Sequence, residues 1–103
     1  MAALSLDKKG LRPTILDLRE LSVVADFFVI VSGNSSTQTF AILEHVQREL
    51  AKVSILPTGV ESDPDGKWIL LDLVTVVVHV FTEDSRDFYS LERLWGEAKS
   101  VSL

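Results

Sequence analysis

Lys67-Trp-Ile-Leu-Leu-Asp-Leu-Val-Thr-Val-Val-Val-His-Val-Phe81 is the most apolar and β-branched run in the chain. Such residues suit a pleated, half-buried surface. The run is too long for one ordinary strand and lacks the three- and four-residue apolar spacing of an amphipathic helix. It therefore predicts two strands joined by a tight turn near Val74-Thr75. Side chains alternate faces along a strand. Ile69, Leu71 and Leu73 then share one face with Val76, Val78 and Val80, which is purely aliphatic and reads as core. Trp68, Leu70 and Asp72 share the other with Val77, His79 and Phe81. A face that mixes Trp, Leu, Phe, His and Asp suits neither a helix-covered layer nor plain solvent, and it is the candidate docking surface. A two-residue hairpin turn demands positive φ, which Val and Thr resist, so the turn must be wider than that or strained.

The elements around this pair follow in chain order. Residues 1–9 read as a short helix or tail, closed off by Gly10 and Pro13. Thr14–Leu18 reads as a strand, residues 19–25 as a turn with a helical loop, and Asp26–Ser32 as a second strand, apolar on both faces and so either central in the sheet or part of its docking face. Gly33-Asn34-Ser35-Ser36 ends that strand, and Ser35 with Gln38 forms a capping-box pattern. A helix follows to about Val53, with Phe40, Leu43, Val46, Leu50 and Val53 as its apolar stripe. Val60 and Glu61 begin an edge strand, and Ser62-Asp63-Pro64-Asp65-Gly66 reads as a turn. Thr82, followed by Glu83 and Asp84, opens a final helix. Phe88, Leu91, Leu94 and Trp95 would be buried along it, and Gly96 would end it. The expected architecture is one α/β domain with a mixed sheet and helices mainly on one face. The order is short α-β-β-α-β-β-α, the core spans about 7–96 and 97–103 is a tail.

Composition narrows the function. The chain has 103 residues, a length at which roughly 65% of the unfolded surface can be buried. With no cysteine, disulfides, thiol nucleophiles and cysteine-rich zinc sites are excluded. No apolar run approaches a membrane span and no secretory signal is visible, so a cytoplasmic protein is expected. The net charge of −5 argues against direct nucleic-acid binding and suits a basic protein partner.

Catalytic constellations are weak. The helix start after Gly33 could hold an anion, but Gly-Asn-Ser-Ser is no phosphate-binding fingerprint, and plain capping explains it. A strand, Gly-Ser turn and helix also occur in nucleotidyltransferases, which makes a nucleotide-binding domain the alternative reading. Those enzymes need clustered carboxylates for Mg²⁺, whereas Asp17 and Asp72 stand alone and Asp63 and Asp65 lie in a turn. Ser32, Ser35, His79 and Asp72 supply the residue types of a hydrolase triad without its strained elbow motif. His45 reads as a surface side chain, and two histidines without an acid cluster make a weak metal site. No cofactor is expected.

The chain resembles the ribosomal silencing factor family, RsfS or Iojap-like. The likeness rests on Leu16-Asp17-Leu18, Asp26-Phe27-Phe28-Val29-Ile30, Gly33-Asn34-Ser35-Ser36, Leu56-Pro57 with Gly59-Val60-Glu61, Trp68-Ile69-Leu70-Leu71-Asp72, Val76-Val77-Val78-His79-Val80-Phe81, and Arg86-Asp87-Phe88-Tyr89 with Leu91-Glu92 and Leu94-Trp95. These co-linear segments span residues 7 to 96. The resemblance implies a non-enzymatic role: binding the large ribosomal subunit at its small basic protein number fourteen and blocking subunit joining when nutrients fall. It also implies a mixed-sheet α/β fold and a possible homodimer. The family's docking surface falls on Trp68 and its strand with Leu70, and less directly on His79, Phe81, Arg86 and Tyr89. The family usually has a longer helix before Asp7-Lys8-Lys9. It has Gly-Asp where this chain has Val74-Thr75, and Glu-Gly where this chain has Glu61-Ser62.

Overall fold

The computed structural model describes residues 11–20, 25–94 and 99–101. The expected first helix, residues 21–24, Trp95 and Gly96 lie outside them. Six strands form one mixed sheet: β1 (Leu11–Asp17), β2 (Phe27–Gly33), β3 (Gly59–Ser62), β4 (Trp68–Asp72), β5 (Val76–Thr82) and β6 (Lys99–Val101). Their spatial order is β3-β4-β5-β2-β1-β6. The parallel pair is β2–β5, and every other neighbouring pair is antiparallel. The helices are α1 (Ser36–Lys52), α2 (Glu83–Tyr89) and α3 (Leu91–Leu94). The expected α/β domain is thus present, with one addition. Residues 99–101, expected to be tail, pair with Ile15–Asp17 of β1 and extend the sheet.

β4 and β5 pair as the alternation requires. Ile69 faces Val80 and Leu71 faces Val78; Trp68 faces Phe81 and Leu70 faces His79. On the aliphatic face Val29, Val31, Ile69, Leu71, Val78 and Val80 pack against Ile42, Val46 and Leu50 of α1. Each such side chain contributes roughly 1.5–3 kcal/mol on burial. β2 and β5 are buried on both faces, because they occupy the centre of the sheet.

α1 starts where the capping residues place it. Ser35 Oγ accepts from the Gln38 amide at 3.3 Å, and Gln38 Oε1 accepts from the Asn34 amide at 2.7 Å. The reciprocal bond therefore reaches one residue further back than in the standard box. The buried stripe is Thr39, Ile42, Val46 and Leu50: Val46 and Leu50 are as expected, while Thr39 and Ile42 take the places expected of Phe40 and Leu43. Phe40 is exposed and Val53, the helix's C-cap, is 65% exposed. The reason is the turn after β3. Thr39 Oγ1 donates to the Gly66 carbonyl at 2.7 Å, which draws Thr39 inward. A Cβ on Gly66, at φ +67, would stand 2.5 Å from the Phe40 ring, so Phe40 lies across this glycine instead of entering the core.

The β4–β5 turn is tight and strained rather than wide. Leu73 donates its amide to the Val76 carbonyl at 2.9 Å, and Thr75 donates to Leu73 at 3.1 Å. Val74 sits at φ 77. An i→i+2 bond around a positive-φ residue is the rare, strained γ-turn. Neighbouring bonds hold it there: Asp72 Oδ1 accepts from the Val74 amide at 2.9 Å, and the Thr75 carbonyl accepts from Asp26 and Phe27 at 2.7 and 3.2 Å.

The final helix departs most from expectation. Thr82 is its N-cap in extended conformation but makes no side-chain cap bond; its hydroxyl lies 3.1 Å from Ser85 Oγ instead. The helix ends at Ser90, which takes the left-handed conformation with φ 50. That break resets the helical phase before α3. Ser85 and Arg86 turn inward, while Phe88, expected in the buried stripe, is 81% exposed. α2 and α3 do not join α1 on the aliphatic face. They lean on one end of the mixed face, where Leu91 packs with Phe81, Ile30, Leu16 and Leu18.

Candidate partner-docking site

The antiparallel and parallel registers set the mixed face out in rows. One runs Trp68–Phe81–Ser32, and the next runs Glu61–Leu70–His79–Ile30–Thr14. α2 closes the Ser32 end. Arg86 donates to Ser32 Oγ at 2.9 Å and to Thr14 Oγ1 at 3.0 Å, which fixes the helix over β1 and β2. The β3–β4 edge remains open.

Trp68 stands at the boundary between the covered and open parts, half-buried. Its start point on β4 is set by Asp63, whose Oδ1 accepts from the Lys67 amide at 2.7 Å and the Trp68 amide at 3.3 Å. The indole stacks on Phe81 at a centroid separation of 5.1 Å and meets the Tyr89 ring at 4.6 Å. Phe88 stands edge-on to Tyr89 at 5.2 Å. Glu61, Ser62, Asp63, Trp68, Leu70 and Tyr89 line an open groove of about 290 Å³. A second depression of about 310 Å³ lies against Tyr89 and Phe88, lined also by Lys67, Thr82, Asp84 and Ser85. Tyr89 is thus the wall between two grooves.

Of the six residues expected to touch a partner, the structure leaves three accessible. Trp68 and Leu70 are half-buried and Tyr89 is exposed. Phe81 is fully buried, His79 is 4% exposed and Arg86 is 3% exposed. The free chain therefore does not present these three at its surface. Leu91 of α3 packs on the Phe81 cluster, Arg86 points inward from α2, and His79 is enclosed by Trp68, Phe28 and Phe81, none of which strand alternation could foretell. His79 accepts at Nδ1 from the Trp68 indole N–H at 3.1 Å, and burial lowers its pKa to about 4, so it is neutral at pH 7. The acidic rim and Phe88 escaped sequence reasoning. For Glu61 a signal existed, since an edge strand opposite β4 had to carry its acid beside Leu70.

The lone acids serve the backbone or a neighbouring cation. Asp17 binds Arg19 through both oxygens, at 3.0 and 2.7 Å, and Asp72 holds the strained turn. Ser32 Oγ is taken by Arg86 and His79 Nδ1 by Trp68, so the triad ingredients are not aligned with one another. Among the described residues no cluster of three or more His, Asp or Glu side chains is placed to hold a metal ion. No described helix is long and apolar enough to cross a membrane.

The family model for the ribosomal silencing factor during starvation, RsfS, matches residues 1–103, from end to end. The chain belongs to the RsfS family. It is 40% identical over 97 residues to the ribosomal silencing factor of Halalkalibacterium halodurans, covering 94% of this chain and 83% of that one. The Bacillus subtilis silencing factor is 39% identical over 102 residues, covering 99% and 86%. The chloroplastic Iojap protein of Zea mays shares 32% identity over 89 residues, 86% of this chain and 39% of that longer protein. A crystal structure from Chromobacterium violaceum superposes with a TM-score of 0.87 at 32% identity, over 98% of this chain and 83% of that one. One from Bacillus halodurans gives 0.85 at 36%, over 98% and 91%. The RsfS relatives are named as regulatory silencing factors, not as enzymes.

Proposed function

We propose that this RsfS-family chain represses translation in the cytoplasm under nutrient limitation by binding the large ribosomal subunit. Its contact there is the small basic protein number fourteen, and its bulk then keeps the small subunit from joining. The observation that carries the reading is the half-exposed Trp68–Tyr89 pair with Leu70, bordered by Glu61 and Asp63. Rings held in place by a strand and by the end of a packed helix give desolvated contact at small entropic cost. The acidic rim and the net charge of −5 complement a basic partner and speed encounter.

Trp68→Ala tests it. Truncating a central interface aromatic costs about 2 kcal/mol or more, roughly thirtyfold in affinity. The variant should stay in the supernatant when large subunits are sedimented, and wild type should pellet with them and prevent small-subunit addition. Circular dichroism should show both folded. Equal co-sedimentation of the two proteins would refute the site.

A further inference from the structure

We propose that His79 is a positioning residue for Trp68: by accepting the indole N–H it holds the docking ring in one orientation and removes its polar group from the surface. The partner then meets Trp68 as an apolar ring face, and its recognition needs no hydrogen-bond acceptor for the indole. The proposal rests on the docking reading above.

The geometry comes from strand register. Leu70 is directly opposite His79, and Trp68 is the diagonal neighbour, two residues away on the same face. An aromatic side chain reaches across such a diagonal. The indole nitrogen lies 3.1 Å from His79 Nδ1, with ring centroids 6.0 Å apart. The imidazole is itself clamped. Phe28 meets it edge-on at 4.6 Å, and Phe81 stacks nearly parallel at 6.1 Å and 10°. A clamped acceptor fixes its donor.

The chemistry of the acceptor is equally constrained. An imidazole accepts at Nδ1 only when neutral, with its hydrogen on Nε2. Burial keeps it neutral. Nε2 is itself buried and has no hydrogen-bond partner among the described residues. A desolvated donor without a partner is costly. A site that only needed filling would therefore be better occupied by an apolar side chain, and the imidazole's gain at this position is the lone pair it offers Trp68.

Asparagine and leucine share a branched shape and differ in polarity, and Asn Oδ1 falls where Nδ1 stands. His79→Asn keeps the acceptor and His79→Leu removes it. With purified large subunits, His79→Leu should bind about tenfold more weakly than wild type and His79→Asn within about threefold of it. A purely structural role predicts the reverse order, because leucine suits a buried site better. In a Trp68→Phe background the two substitutions should bind alike. Nuclear magnetic resonance of the free protein supplies a readout independent of the ribosome. Wild type should show nitrogen–nitrogen coupling across the Trp68–His79 bond and a rigid indole, and His79→Leu should show neither. Loss of binding in His79→Leu that persists with Trp68→Phe overturns the proposal, as does an indole no less rigid in His79→Leu. Should either variant fail to fold, the wild-type coupling and the remaining variant decide. Should wild type itself not bind large subunits, the docking reading fails, and the indole measurement alone upholds or overturns the role of His79.

Discussion

The two faces of this sheet come from the same strands and are closed in opposite ways. One is covered by a 17-residue helix and contains aliphatic residues almost throughout. The other is covered at one end by helical pieces of 7 and 4 residues, and carries Trp, Phe, His, Arg and Tyr around a smaller core of Leu16, Leu18, Ile30 and Phe81. The difference teaches how an α/β domain can reserve a surface. A full-length helix leaves a face nothing to offer a partner. Two short helical pieces broken at Ser90 bury Phe81 and the helix's own Arg86, but they reach Trp68 only through the Tyr89 ring and leave Trp68 and Leu70 half-buried. The residues beneath the open part then need polar partners of their own, because aromatics with N–H groups cannot be packed like valine.

The largest effect is expected on the closed face. Ile42→Ala opens a cavity under the sheet and should cost about 3–4 kcal/mol in urea unfolding. Its binding to large subunits, measured on the folded protein, should match wild type; weaker binding would show that the two faces are not independent.

Acid should act mainly on the open face. His79 titrates at about 4 in the folded chain, against an ordinary 6.5. The unfolded chain takes up this proton first, so stability is complete above pH 6.5 and falls as pH drops toward 4. Those limits correspond to a loss on the order of 3 kcal/mol. The contribution should be absent in His79→Leu, so the stability gap between the two proteins should grow in the variant's favour on acidification. Parallel pH profiles would place the titrating group elsewhere.

The smallest effect concerns the turn from which both faces diverge. Val74 at φ 77 carries the strain of a β-branched residue in the left-handed region. Val74→Gly relieves it, against some added freedom in the unfolded chain. A net gain of about 1 kcal/mol, or about 4 °C in melting temperature, is expected. A fall would mean that Asp72 and Thr75 hold the turn without strain.

Much of this was legible in residues 67–81. Alternation assigned Ile69, Leu71, Val78 and Val80 to one face and Trp68, Leu70, His79 and Phe81 to the other, and the pairing agrees residue by residue. Ser35, Gln38 and the Asp63–Gly66 turn were readable because capping and turn chemistry act within a few residues. The helix stripes were less so. Phe40 and Phe88 look like core by spacing, yet Thr39 is drawn in by the Gly66 carbonyl 27 residues away, and α2 turns Ser85 and Arg86 inward while Phe88 stays exposed. The strand at Lys99–Val101 depends on a free β1 edge, which no local pattern announces.

The sequence by itself determined the two strands of residues 67–81, their faces and the family, because period and motif are local properties of the chain. Tertiary structure alone decided which aromatic residues reach the surface. Accessibility depends on where α2 ends and what it lies over, and that was settled by Arg86 reaching Ser32 and Thr14, 54 and 72 residues distant along the chain.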